Sequence, residues 1–154
     1  MDNYKVREAR PDELKLLAAM RRKLGDFLHS QDKDLWELSK DEMSRQAERY
    51  SEVMDSGKGK LLVAVDAQDR PVGMIMVRLL ENPRVEPGRF GRIDDAWVEP
   101  EHRRRGLMRE LVRAAADYAQ GQGFGLMMLD WTTRCSKSPW PVFFSSCRMA
   151  GLST

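Results

Sequence analysis

Cysteine is nearly missing from this chain: Cys135 and Cys147 are the two among 154 residues, both near the C-terminal end and without metal-ligand spacing. Neither a disulfide framework nor a zinc site is implied. Long hydrophobic runs are missing as well. "LLVAV" is typical of the longest, far below the ~18 residues a membrane span needs, and "MDNYKVREAR" has no signal-peptide core. The expectation is a cytoplasmic protein with no membrane partner. An excess of charge of one sign is also lacking, since 26 basic and 24 acidic residues nearly cancel to +2. General nucleic-acid binding has no footing there, so any basic function has to be local. What remains, 42% hydrophobic and 32% charged residues without repeats or low-complexity linkers, is the composition of a soluble globular domain with one core.

Strand-like and helix-like segments alternate, which predicts mixed α and β architecture. "YKVREA" reads as a short strand. In "RPDELKLLAAMRRKLGDFL" Pro11 opens a helix, Asp12 and Glu13 fill its first turn, and Leu14, Leu17, Leu24 and Phe27 form its apolar face. A second helix is expected over "DLWELSKDEMSRQAERYSEVM", with Trp36, Met43, Ala47, Tyr50 and Met54 on one stripe and Gly57 as its stop. "KLLVAV", "PVGMIMVRLL" and "GRFGRIDDAWV" then read as an antiparallel meander. "GLMRELVRAAADYAQGQG" is helical by the spacing of Leu107, Leu111, Ala114 and Tyr118. "GLMMLDWTT" is a buried strand reached through that helix, and so parallel to the strand before it.

In "DAWVEPEHRRRGLMREL" three arginines stand directly before a glycine and a helix start. A helix N-terminus carries roughly half a positive charge and opposes cations, so Arg103, Arg104 and Arg105 are placed against the backbone field. A bound phosphate resolves the conflict. The first helical amides have no internal partner, and Gly106 lets the backbone come close enough to donate them. Surface arginines in solvent are the plainer alternative.

A strand ending in Val98, then "EPEH", then Arg-x-x-Gly and an amphipathic helix resembles the acyl-coenzyme A binding segment of the GNAT superfamily of N-acetyltransferases. The family signature is Arg or Gln, two residues, Gly, one residue, Gly or Ala. Here it reads Arg103-Arg104-Arg105-Gly106-Leu107-Met108, with Met108 in the last small position. The resemblance implies an α/β fold of the α+β type: a mixed, mostly antiparallel sheet flanked by helices, over residues 1–133, with an atypical tail at 134–154. It implies that Trp97, Val98 and Glu99 pair with the pantetheine arm of acetyl-CoA, and that Arg103, Arg104, Arg105, Gly106, Leu107, Met108 and Arg109 hold its pyrophosphate. Acetyl-CoA would be the co-substrate, with no metal, and the acceptor a small-molecule amine or a protein amino group. A homodimer is compatible with this, and a chain that binds acyl-CoA without turnover is the alternative.

An amine attacks a thioester only when unprotonated, which calls for a general base. Strict alternation puts Arg92, Asp94, Ala96 and Val98 on one face, so if Val98 faces the cofactor, Asp94 does too. Asp94 is the expected base or ammonium anchor; the alternative is that Asp94 and Asp95 only pair with Arg89 or Arg92. His29 and His102 are the other proton-transfer candidates. Family members usually supply a tyrosine in a helix after the "LMMLDW" strand, whereas no tyrosine follows Tyr118 and Phe144 stands near that place. The tail "SSCRMAGLST" shows no strand pattern. Read one nucleotide later, the codons for Phe143 to Ala150 can encode Phe-Phe-Arg-Ala-Ala-Gly-Trp, so a frameshifted or otherwise truncated family member is expected, with a shift between about Asp130 and Lys137 and the sheet's last strands missing; a native short tail is the alternative.

Overall fold

The computed structural model describes residues 3–31, 39–84, 88–129 and the short strands at 131–133, 142–144 and 147–148. Strand β1 (Lys5–Glu8) is followed by a 3-10 turn at Pro11–Glu13 and helix α1 (Leu14–Gln31). Arg7 and the Arg10 amide both bond the Glu13 carboxylate, at 2.6 and 2.8 Å, which fixes the entry into that helix. The helix expected next is two helices, α2 (Lys40–Ser44) and α3 (Gln46–Asp55), broken at Arg45 where the backbone leaves helical angles. Ser39 caps the first through its hydroxyl on the Glu42 amide at 3.2 Å. The break turns Met43 outward and leaves Tyr50 wholly buried, while Trp36 lies outside the described residues.

Strands β2 (Gly59–Val65), β3 (Pro71–Glu81) and β4 (Arg89–Val98) form the expected antiparallel meander. Helix α4 (Leu107–Gly121) crosses over to β5 (Leu126–Leu129), which pairs with β4 in parallel. The sheet order is β1-β2-β3-β4-β5-β8, with β6 (Trp131–Thr133) and β7 (Val142–Phe144) in a separate pair. β2 and β3 read as unbroken apolar runs because helices cover both faces of the sheet. On one face Leu17 and Met20 of α1 and Tyr50 of α3 pack on Leu61, Met74 and Trp97. On the other, Leu111, Ala115 and Ala119 of α4 pack on Ile75, Val77 and Ile93.

The tail does contribute strands. β8 (Cys147–Arg148) pairs with β5 at Leu126↔Arg148 and Met127↔Cys147, correcting the expectation of a strandless tail and an unpaired β5 edge. Phe143 and Phe144 fall in strand β7. An edge presents a row of open N–H and C=O groups that any extended segment can take up, without the hydrophobic alternation that sequence reading looks for.

Two features of β4 set the geometry around it. Opposite β3, Met76 pairs with Asp94 and Met74 with Trp97, so two steps on β3 face three on β4. This is a β-bulge, and Asp95 within it has φ +54°. The extra residue inverts the alternation: Ile93 and Val98 both pack on the α4 side, although they are an odd number of residues apart, while Trp97 packs on the α1 side. The second feature is where β4 meets β5. Among the described residues pairing covers Gly91, Arg92 and Ile93. At Gly91 a Cβ would sit 2.6 Å from Met127 Sδ and 3.1 Å from Ala119 Cβ, so any larger residue would have to displace Met127 where strand and helix converge. Beyond Ile93 no pair between the two strands falls among the described residues.

Candidate functional site

Past Ile93, β4 has no partner on its β5 side among the described residues, which leaves backbone groups open there. The Glu99 amide donates to the Val72 carbonyl of β3 at 2.8 Å, and neighbouring residues of a strand present their polar groups to opposite sides. Val98 therefore turns both its N–H and its C=O to the open edge. A cavity of about 430 Å³ lies there, walled by Ala96, Trp97 and Val98 of β4, by Leu24 and Phe27 of α1, and by the loop and first turn leading into α4.

At the mouth of this groove the chain turns sharply: Arg104 has φ +62° and Gly106, the residue before α4, has φ +79°. No side chain caps α4, and its first internal bond runs from the Glu110 amide to the Gly106 carbonyl at 3.1 Å. The amides of Leu107, Met108 and Arg109 are thus the open donors of a helix N-terminus. A Cβ on Gly106 would meet nothing within 4 Å, so the backbone there is bare to an approaching ligand.

The residues expected to bind a cofactor divide between groove and surroundings. Trp97, 7% exposed, and Val98 form the floor. The Glu99 carboxylate does not line the groove; Lys23 Nζ holds it at 2.8 and 3.0 Å, tying α1 to the end of β4. Arg103 lines the groove but folds back onto β4, with Nε donating to the Val98 carbonyl at 2.9 Å and its guanidinium 4.6 Å from the Trp97 ring centre. Arg104, Gly106, Met108 and Arg109 line the mouth. Leu107 lines it while anchoring α4 in the core, and Arg105 lies off the cavity, 6.0 Å from the Tyr4 ring centre. Sequence reading missed Leu24 and Phe27 as groove residues. Phe27 is 47% exposed and meets the Trp97 ring edge-on at 6.3 Å, where the helical stripe suggested core. The available signal was that the stripe continues to the last turns of α1, past the residues the sheet can cover.

Asp94 requires a correction. The bulge places it opposite Met76 on the α1 side, across the sheet from Val98, so the shared face that made it a groove residue does not exist. Its carboxylate lies between Arg78 Nε at 2.7 Å and Arg92 Nε at 3.1 Å, so the pairing with Arg92 is what is found. Asp95 is held by Arg21 Nε at 2.9 Å and by the Tyr50 hydroxyl, which donates at 3.1 Å. Burial pushes the Asp95 carboxyl above its ordinary range, against the opposing pull of Arg21 and Tyr50, and the Asp94 charge adds to the rise. Burial likewise pushes the Tyr50 hydroxyl up. Arg21 Nη1 is buried without a partner among the described residues and lies 3.1 Å from where a Cβ of Gly25 would stand, which favours a glycine inside α1.

His102 lines the groove mouth, its Nδ1 sharing a 2.7 Å hydrogen bond with the Tyr4 hydroxyl. His29 Nδ1 is buried without a partner among the described residues. Among the described residues no group of three His, Cys, Asp or Glu could hold a metal ion, and no helix is long and apolar enough to cross a membrane.

A mixed sheet that opens between two parallel strands, with an uncapped helix N-terminus at the mouth of the opening, defines an α/β domain suited to an elongated ligand with an anionic group. The sequence profile of the acetyltransferase (GNAT) family matches residues 25–138, and the chain belongs to that family. Human N-acetyltransferase 8 is 28% identical over 78 residues, which are 51% of this chain and 34% of that protein; the match thus spans about a third of its length. Among solved structures, a mutant of protein BH1408 from Bacillus halodurans superposes with a TM-score of 0.73 at 17% identity, covering 90% of this chain and 98% of that one. A predicted acetyltransferase from Clostridium acetobutylicum, solved with acetyl-CoA, superposes with a TM-score of 0.65 at 17% identity, covering 84% and 80%. At these identities the likeness is one of fold.

Proposed function

We propose that this chain transfers an acetyl group from acetyl-CoA to a primary amine. The observation that carries the reading is the meeting, in one groove, of the open Val98 backbone edge with the uncapped N-terminus of α4. The two ends suit the two ends of the co-substrate. An extended amide-bearing arm can add to β4 as a strand would, and a pyrophosphate can accept from the amides of Leu107, Met108 and Arg109. Family membership, and a fold neighbour solved with acetyl-CoA, support the same reading.

The co-substrate supplies its acyl group as a thioester, which a neutral amine displaces to give an amide and a free thiol. The protein's part is placement. Trp97, Leu24 and Phe27 give the arm an apolar bed, Gly106 keeps side chains from the phosphates, and Arg104 and Arg109 add charge at the mouth. For Asp94 we propose positioning through Arg78 and Arg92, on the acceptor's side of the sheet. Cytoplasmic residence, independence of metals and nucleic acid, and the division into a domain at 1–133 and a tail at 134–154 belong to the same proposal.

Binding without turnover is the second reading, favoured by one observation: no tyrosine follows Tyr118, so the usual proton donor to the departing thiolate is missing. Calorimetry with acetyl-CoA tests the groove, and thiol release with a panel of amines tests transfer. Micromolar binding with amine-dependent thiol release is the expected result. Binding with no release from any amine would establish the second reading, and no binding would overturn both.

A further inference from the structure

Along β4, the groove residue Trp97 is three positions from Asp94, which the bulge shortens to the two steps between Met74 and Met76 of β3, about 7 Å at the usual rise of a strand, and both are on the α1 side. An acceptor that approaches the inner end of the groove along this face therefore passes the charges around Asp94. These are arranged unusually. Arg78 of β3 and Arg92 of β4 are directly opposite in the ladder, a like-charge pair that destabilises a sheet, and Asp94 bridges them by accepting from the Nε of each. Both carboxylates of this face are engaged by guanidinium groups, Asp94 by Arg78 and Arg92 and Asp95 by Arg21. Neither is an open anchor for a second ammonium group.

Arg78 differs from its neighbours. Its only protein bond among the described residues goes through Nε, and its side chain is 39% exposed. The terminal nitrogens Nη1 and Nη2 have no protein acceptor among those residues, while the Asp94 bond fixes the plane of the guanidinium. A guanidinium held at Nε with its far edge open is a ready receptor for an anion, because two parallel N–H bonds match the oxygens of a carboxylate or phosphate. A lysine would suffice merely to balance Asp94.

We propose that Arg78 selects acceptors that carry an anionic group, a carboxylate or a phosphate, several bonds from the reacting amine. The inference rests on the proposed acetyl transfer in the groove and narrows the acceptor class: it favours amino acids, short peptides or phosphorylated amines and disfavours polyamines.

The test is calorimetric and compares matched ligands, with and without saturating coenzyme A: 6-aminohexanoate against 6-aminohexanamide, glycylglycine against glycylglycinamide, and O-phosphoethanolamine against ethanolamine. At least one member bearing the carboxylate or phosphate should bind about tenfold or more tightly than the partner that lacks it, and the chemistry of that pair separates carboxylate from phosphate. Arg78→Gln, which keeps an N–H for Asp94, should bring that ratio within about twofold at an unchanged thermal midpoint, and Arg78→Lys should restore part of it. Equal binding within every pair, binding of none, or a preference that survives Arg78→Gln overturns the proposal. Coenzyme A affinity is measured by itself, so the groove and Arg78 fail separately.

Discussion

Arg103 bonds the strand it has just left: its Nε donates to the carbonyl of Val98, five residues back, at 2.9 Å. That carbonyl is on the open edge of β4, where an added strand would pair. The arginine thus covers that edge, and its stacking on Trp97 adds to its hold.

Arg103→Ala should therefore tighten the binding of pantetheine, which carries no phosphate, by about three- to tenfold, since a charge-assisted hydrogen bond no longer has to be displaced. Titration followed by tryptophan fluorescence reads this directly. A tenfold loss would instead make Arg103 a ligand-binding group and refute the covering role.

Gly106→Glu should reduce coenzyme A affinity at least about 100-fold, because a carboxylate then stands where the pyrophosphate meets the α4 amides. The left-handed backbone at this residue, φ +79°, costs an ordinary side chain about 1–2 kcal/mol, so some stability is lost as well. Gly106→Asn, better suited to that conformation, separates the two effects and should stay within about tenfold of the parent. If both variants bind coenzyme A like the parent, the phosphate is elsewhere.

Asp94→Asn removes the anion shared by Arg78 and Arg92. Expected are a several-fold rise in KM for the acceptor, little change in coenzyme A affinity, and the wild-type pH–rate profile. Loss of the profile's limb with a 10- to 1000-fold fall in kcat would instead mark Asp94 as the general base.

Asp95 makes a prediction about stability. Its carboxyl is raised in the folded chain, chiefly by burial, so the folded state binds the proton more tightly than the unfolded one. The contribution of such a group is greatest below the unfolded value, near 3.8, and declines as pH rises through the folded value. Urea unfolding across that range should show Asp95→Asn gaining on the parent as pH increases. A constant difference between the two would show that Asp95 does not titrate as burial requires.

The order of elements was legible because each carries its own local signal: Pro11 opening a helix, the apolar run of β2, the four-residue spacing of Leu107 and Leu111. The sharp turn into α4 was legible because glycine and arginine are locally odd before a helix. What sequence reading lost is long-range or depends on phase. Nothing local distinguishes Asp94 from Asp95, and only pairing with Met74 and Met76 reveals that an extra residue separates Asp94 from Trp97. The protein partners of Arg103 and Glu99, the Val98 carbonyl and Lys23, were hidden for a similar reason: they are set by how the turn and α1 fold back. Phe27 was assigned to the core because periodicity identifies an apolar face without saying how far the sheet beneath it extends.

The bulge at Asp95 gives β4 something like a reading frame. Before it, odd-numbered positions such as Ile93 answer to α4; after it, even-numbered ones such as Val98 do. Point changes can tune either half of the strand without disturbing the other. Gain or loss of one residue between Asp94 and Trp97 would exchange the two helical layers' claims on everything downstream, sending Trp97 toward α4 and Val98 toward α1. In this segment descent can vary the letters more freely than their number.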